Sequence, residues 1–524
     1  MDRNNIKELP VNNMTLSSEN NKRIAKNTML LYIRMLFTMA VTLYTSRIIL
    51  NALGVSDFGI YNIVGGVVVL FSFLKNALTS ATQRFLNFEL GKKDFEQLRK
   101  VFCVSINVHV SIAFIVLVLA ETVGLWFLNT QLNVPLERMN AANWVYQFTI
   151  ITFMLSIIQV PYNASIIAHE SMSFFAYVSI VEVSLKLAVV FLLQYLGYDK
   201  LKLYSVLIAA VAFIILVVYK IYCTRKFASC RYSFIQDTSL YKQLLSFSGW
   251  SLFGSVANIS AQQGANIMLN ILWGVTINAA MGIANQVSGA IYGFVGNFQT
   301  AFSPQIIKSY ASDDRTYFMN LIFQSSKFSY YLLLLLSVPL LISTDFILQI
   351  WLHTVPAYTT VFCRLIIVFL LIDALSAPLW LSVQATGNIR NYQILMGSLI
   401  LLNLPLAYLF LKWGYPPQSV LIVRVMVNLL VYLVRIFYLR TRIDLPARRY
   451  IREVILVVSL VTVLALPLPL IVNHYTAHWT GLIATTLMAV LSIGVCIYAV
   501  GLKKNERKLL NGFVLNKLKV NYKL

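Results

Sequence analysis

An all-α integral membrane protein with about fourteen transmembrane helices is the fold class that this sequence predicts, and three observations predict it. First, the 524 residues are 58% hydrophobic and only 12% charged, against about 45–50% and about 25% in soluble domains. No water-soluble fold has core enough to hide that much apolar surface. Second, apolar runs of ~20 residues, the length that crosses a ~30 Å hydrocarbon core as a helix, recur along the chain. Third, Lys and Arg are abundant in every second connection, the asymmetry that fixes orientation in a bilayer. The net charge of +22 would suit a nucleic-acid-binding protein, but the scarcity of polar surface excludes one. An outer-membrane barrel is excluded too, because the segments are solidly apolar rather than alternating every second residue.

The runs begin near Asn27, Phe58, Arg99, Ala141, Ser173, Leu203, Lys242, Asn278, Phe318, Thr359, Asn391, Gln418, Tyr450 and Gly481. The second, seventh and eighth are the most polar. With both termini inside, 29 Lys and Arg fall on the inner side and five (Arg47, Arg138, Lys200, Lys202, Lys412) on the outer. One missed helix would scramble that split. The first twenty residues are polar, so no removable signal peptide is expected and the first helix serves as the insertion signal. The basic loops and tail read as topology and attraction to anionic lipid. The five Cys (Cys103, Cys223, Cys230, Cys363, Cys496) and five His have no metal-ligand spacing, so neither a metal nor a cofactor is expected, and the Cys read as apolar fillers. No phosphate loop, GxSxG turn or HExxH motif occurs. Each extramembrane segment is below the ~40 residues that independent folding needs. These features favour a transporter over an enzyme or a self-contained ATP-driven pump.

The chain also repeats. Ile48-Ile49-Leu50-Asn51 recurs as Ile267-Met268-Leu269-Asn270, Gly54-Val55-Ser56 as Gly274-Val275-Thr276, Gly59-Ile60 with Asn62 as Gly282-Ile283 with Asn285, and Ser80 as Ser303. The offsets run from 219 to 223 and span six helices. An even number gives both copies the same orientation, a parallel repeat with its axis along the membrane normal. The expected organisation is a cytoplasmic arm (1–26), a six-helix lobe (27–226), a cytoplasmic loop (227–241), a second six-helix lobe (242–441), two further helices (450–502) and a basic cytoplasmic tail (503–524).

This plan resembles the polysaccharide repeat-unit flippases of the multidrug/oligosaccharidyl-lipid/polysaccharide exporter superfamily. The likeness is concentrated in residues 26–100: Lys26-Asn27-Thr28, Thr45-Ser46-Arg47-Ile48-Ile49-Leu50, Leu53-Gly54-Val55-Ser56-Asp57-Phe58-Gly59-Ile60-Tyr61-Asn62, and Ser80-Ala81-Thr82-Gln83-Arg84. Gly54 and Gly59 suit a tight exit and re-entry between two antiparallel helices, and Asp57 can cap the second. The resemblance implies transfer of undecaprenyl-diphosphate-linked oligosaccharide from the inner to the outer leaflet of the bacterial cytoplasmic membrane, by alternating access. It implies lipid and a lipid-linked glycan as partners, admits a polysaccharide polymerase and a chain-length regulator, and involves no nucleic acid. A cell-wall lipid precursor flippase and a cation-coupled multidrug exporter are the nearest alternatives, and a membrane glycan polymerase the alternative of a different class.

Ionisable residues inside spans are costly and are the functional candidates. Arg34 lies about seven residues into the first helix, roughly 10 Å below the inner surface, in a stripe with Asn27, Thr38 and Thr45. Such a stripe favours a hydrated cavity over snorkelling, and a guanidinium suits a diphosphate. Lys75 extends the positive character, whereas Arg84 reads as interfacial and Arg47 as snorkelling at the outer end. Glu182 and Lys186, four apart, are expected to neutralise each other. Asp373 is a candidate coupling-ion site. Arg364, Arg424, Arg435 and His109 are weaker candidates. Gln262, Asn266, Asn285 and Gln286, within the amide-rich seventh and eighth helices, are candidates for binding sugar hydroxyls. Gly289-x-x-x-Gly293 reads as close helix packing.

Overall fold

A peptide group in hydrocarbon has no water to bond, so every segment that enters a bilayer must close its own hydrogen bonds. The computed structural model is accordingly helical along its length, with no strand among the described residues. It describes residues 11–507, except 70, 131–134, 196–198, 353–354, 477 and 505, together with residue 511. The outermost arm, the tail beyond 507, His353 and the side chains of Arg47 and Asn62 lie outside the described residues.

Successive helices are α1 (11–53), α2 (55–69 and Ser72–Lys92), α3 (Phe95–Thr130), α4 (Leu136–Ala168), α5 (Met172–Tyr195) and α6 (Lys200–Lys226). They are followed by α7 (238–273), α8 (275–311), α9 (Arg315–Ile342), α10 (Thr359–Thr386), α11 (Arg390–Lys412), α12 (Ser419–Arg442), α13 (Ala447–Tyr475) and α14 (His478–Gly501). Among the described residues, eleven helices are long and apolar enough to cross a membrane. The remaining three are α2, α7 and α8, the most polar in sequence. Only the first start moves far: α1 begins at Val11 rather than near Asn27, because residues 11–26 contain neither Gly nor Pro to stop a helix.

The repeat has a backbone signature. The helix breaks between α1 and α2 at Gly54 (φ 78, ψ 167) and between α7 and α8 at Gly274 (φ 80, ψ −174), two residues already paired by the repeat. Both torsion pairs lie in a region that essentially only glycine occupies. Gly59 has no such role, since the chain there is already helical. The correspondence continues inward. Lys93 (φ 60) and Asp313 (φ 57), also 220 apart, end α2 and α8 in the left-handed region. Asp94 and Asp314 then accept hydrogen bonds from the amides of Gln97 (2.9 Å) and Tyr317 (3.0 Å), capping α3 and α9 alike.

The chain packs as two compact units, Met1–Val256 with Thr300–Tyr317 and Gln384–Ile394, and Ala257–Gln299 with Phe318–Val383 and Leu395–Leu524. In the first, α4 packs along α6 and α5 along the 11–69 stretch, over a core that includes Ile60, Val64, Ala142, Val145, Tyr146 and Leu201. Asp57 does not cap α2. Its carboxylate takes Arg138 from α4, whose guanidinium also reaches Asp199 at 2.9 Å, so one arginine ties three connections together. Three cysteines that look scattered in sequence also converge. Cys103, Cys223 and Cys230 are buried, and the face of α3 bearing Arg99, Cys103 and Asn107 holds the 227–241 loop through Arg231, Ser233, Tyr232 and Tyr241. In the second unit, buried Lys327 of α9 donates to the Gly501 carbonyl (3.3 Å) and pairs with Glu506 (3.1 Å). Tyr330 of α9 meets Thr462 at 2.8 Å, so α13 and α14 are anchored on α9. Gly289 meets no atom within 4 Å of where a Cβ would sit, which corrects the close-packing reading of Gly289-x-x-x-Gly293. Close approach occurs instead at Gly91 against α8, Gly254 against Gln393 and Gly264 against Leu404.

Gly54→Ala and Gly274→Ala should each cost roughly 1–3 kcal/mol although no neighbour blocks the methyl group, which the midpoint of thermal unfolding in detergent will register. Partial burial alone would raise the Asp199 carboxyl, but the Arg138 guanidinium and the amides of Lys202 and Leu201 hold it below the usual carboxylate range. A depressed folded value stabilises above the unfolded value of about 3.9 and is lost as pH falls through the folded one. Arg138→Gln should therefore lower the unfolding midpoint at neutral pH, with the difference from the parent shrinking below about pH 4.

Candidate functional site

Charges within the spans must find partners, and several of them gather in two clusters, one in each unit. In the first, Arg34 of α1 lies with its guanidinium 4.5 Å from the Phe175 ring centroid and donates to the Ser179 hydroxyl at 3.4 Å, both on α5. One turn further along α5, Glu182 and Lys186 form the expected pair at 2.6 Å. Glu182 also faces Arg34, and both Glu182 and Lys186 face Lys75 of α2, while Tyr219 of α6 faces Arg34. Three helices thus bring three cations near one carboxylate, with Tyr219 of a fourth beside Arg34. The pair does not cancel: Glu182 is shared, and the cluster keeps an excess of positive charge. Each of the four ions is half-buried rather than sealed. Thr38 and Thr45, read as part of a polar stripe with Arg34, return their hydroxyls to the carbonyls of Met35 and Val41 in their own helix and need no polar neighbour.

The second cluster surrounds Asp373, the coupling-ion candidate. This residue of α10 faces Arg435 and Arg424 of α12. Arg435 donates to the Ser376 carbonyl at 3.0 Å, and Arg424 lies 4.3 Å from the Phe369 ring centroid. A coupling ion at Asp373 would therefore have two guanidinium groups to contend with. Arg364 lies elsewhere, bound to Asp345 and the Leu341 carbonyl near the start of α10. His109 bonds the Ser105 carbonyl of its own helix.

The amide candidates Gln262, Asn266, Asn285 and Gln286 all lie in the second unit. Asn266 donates to Gln263 at 2.9 Å, so part of the amide density is satisfied within α7. Gln262 is half-buried and Gln286 exposed. Asn285 keeps a buried side-chain oxygen with no hydrogen-bond partner among the described residues. Arg84 is the residue most misread. Only 6% exposed, it is not interfacial but fixed by two carbonyls of the α10 end. Nothing in the sequence indicated that partner, 300 residues away.

No protein-family model and no curated protein matches the sequence. Solved structures do. A multidrug resistance MATE family transporter of the MOP superfamily in an outward-facing conformation superposes with a TM-score of 0.70 at 13% identity, over 80% of this chain and 96% of that one. A MATE structure in the bent conformation gives 0.70 at 13% identity over 82% and 97%. A MOP superfamily transporter from Pyrococcus furiosus, reported with a binding pocket of reversed polarity, gives 0.66 at 12% identity over 80% and 96%. At such identities the likeness establishes the fold: this is a multi-pass membrane protein with the MATE-like transporter architecture.

Asp373→Asn should destabilise the protein by about 1–3 kcal/mol by leaving Arg424 and Arg435 without their carboxylate, seen as a lower unfolding midpoint in detergent. An unchanged midpoint would show that the two arginines do not depend on the Asp373 carboxylate.

Proposed function

We propose that this protein flips undecaprenyl-diphosphate-linked oligosaccharide repeat units from the inner to the outer leaflet of the bacterial cytoplasmic membrane, by alternating access, for surface polysaccharide export. Both termini face the cytoplasm in this reading, the two repeats act as lobes, and a polysaccharide polymerase and a chain-length regulator work beside it. The observation that carries the proposal is the Arg34–Lys75–Lys186 group around the carboxylate Glu182 among the described residues. An excess of cations at that depth in a transporter fold is matched to an anionic headgroup, and the Arg34 fork suits a diphosphate. Amides on α7 and α8 are suited to sugar hydroxyls, with Asn285 offering an acceptor already buried and without a partner among the described residues.

A second reading, a cation-coupled multidrug exporter, draws support from the MATE structures that share the fold. The sign of the first cluster opposes it, because cationic drugs require acidic partners, and the Pyrococcus furiosus protein offers precedent for a different pocket polarity on this scaffold.

Arg34→Ala should abolish surface-glycan display in the native host while leaving the protein's membrane abundance normal, and Arg34→Lys should restore part of it, since a point charge replaces a fork. Resistance to cationic dyes should not change in either variant. Normal display in Arg34→Ala would remove Arg34 from the mechanism, and loss of dye resistance without loss of display would favour the exporter.

A further inference from the structure

The turns that follow α4 and α10 occupy the same place in the two repeats. Pro161 and Pro378 lie 217 residues apart within these helices. At the same spacing, Glu170 (φ 55) and Gly387 (φ 80) adopt the left-handed conformation just past the helix ends. Their amides close back onto Ile167 (2.9 Å) and Gln384 (3.0 Å). By the loop-charge orientation both turns lie at the inner ends of their helices.

Each turn is gripped by the inner end of a helix from the other repeat, and all of these contacts fall inside the first compact unit. Glu170, with a fully buried side chain, binds Lys308 (2.6 Å) and Gln305 (2.7 Å) of α8, and Arg23 of α1 at 3.0 Å. On the other side, Arg84 of α2 donates to the carbonyls of Gln384 (3.2 Å) and Ala385 (3.1 Å). These belong to the last turn of α10, and the Gln384 oxygen accepts the Gly387 amide as well. The Arg84 guanidinium also lies against Phe85 and Phe88, and Gln384 donates to the Ser80 hydroxyl at 2.8 Å. A methyl group on Gly387 would come within 2.5 Å of the Arg84 Nη2. At one position, then, one repeat supplies the gripping side chain and the other withholds a side chain so that an arginine can enter. Between the two grips, α2 and α8 touch: a Cβ on Gly91 would meet the Ala311 Cβ and the Lys308 carbonyl, each at 2.7 Å.

We propose that these two contacts are paired latches of an inner gate, Glu170 with Lys308, Gln305 and Arg23 on one side and Arg84 with the α10 carbonyls on the other, which must release for the transport path to open inward. The gate rests on the transport reading above but on no assignment of substrate. Glu170 and Arg84 are positioning residues: neither touches cargo, and each acts by holding helix ends together. The latches differ in kind. The first is an ion-pair group that water can dissolve once the turn lifts. The second binds main-chain carbonyls and persists whatever the charge of its partner.

The test reads accessibility, not transport. In the full chain, four native cysteines are replaced. Cys363, buried near the opposite end of α10, is kept as a control, and the reporter is Ala385→Cys, at a position of 0% exposure. In inverted membrane vesicles an impermeant maleimide should label the reporter about tenfold faster in Glu170→Gln and in Arg84→Gln, the scale of an opening equilibrium relieved of a buried charged contact. Cys363 labelling should stay constant. The exchange Glu170→Lys with Lys308→Glu should bring the rate back toward the parent. Where either single variant does not accumulate in the membrane, Gln305→Leu and Gln384→Leu remove one neutral partner from each latch and should give about threefold. Unchanged reporter labelling would overturn the gate, as would equal acceleration at Cys363, which marks general loosening, or a charge exchange as fast as Glu170→Gln.

Discussion

Everything in this structure follows from one constraint: inside a bilayer neither a peptide group nor an ion can be left to water, so each must be satisfied by the protein or by a hydrated space that the protein maintains. The backbone meets the constraint by being helical among the described residues, with the helix broken at Gly54 and Gly274. The ions meet it by converging. Asp373 has two arginines, Lys327 has Glu506, and Glu182 serves three cations from three helices. One carboxylate cannot neutralise Arg34, Lys75 and Lys186 together, so this cluster keeps a positive excess.

Much of the fold was legible because the constraint writes itself into composition. Long apolar runs give the helices, and loop charge gives a consistent alternation of sides. The three helices that hydropathy alone does not mark, α2, α7 and α8, are the ones richest in polar residues. They are helical because the chain beside them is, and because leaving the membrane midway would strand peptide groups. The glycine pair was legible as well, since a residue without a Cβ at matched positions of a repeat has a backbone reason to be there. Asp57 was not. Read locally, an acid beside a helix start looks like a cap, but the competing partner, Arg138, is 81 residues away and reaches it only through the fold.

The site divides along the same line. The Glu182–Lys186 pair is a helical spacing and could be read directly. The roles of Asp373 and Arg84 could not, because each depends on a partner that periodicity does not reveal: Arg424 and Arg435 on another helix in one case, two main-chain carbonyls in the other. A carbonyl partner is invisible to any reading of side chains. The cysteines fail for the related reason that convergence around a loop needs three dimensions.

Divergence between the repeats is informative where the backbone is the same. Gly54 and Gly274 keep both residue and torsion, because only glycine fits. Positions 170 and 387 keep the torsion and change the residue, Glu against Gly, although a left-handed glutamate is the less comfortable choice. A purely architectural turn would favour glycine in both. The glutamate therefore has a use that offsets its strain, and its three polar partners on α8 and α1 identify it. The glycine is required for a different reason, the arginine lying against it. The same turn in two repeats has thus been adapted in opposite senses to receive the opposite helix end, which is how two equivalent helix ends come to be held by unlike chemistry.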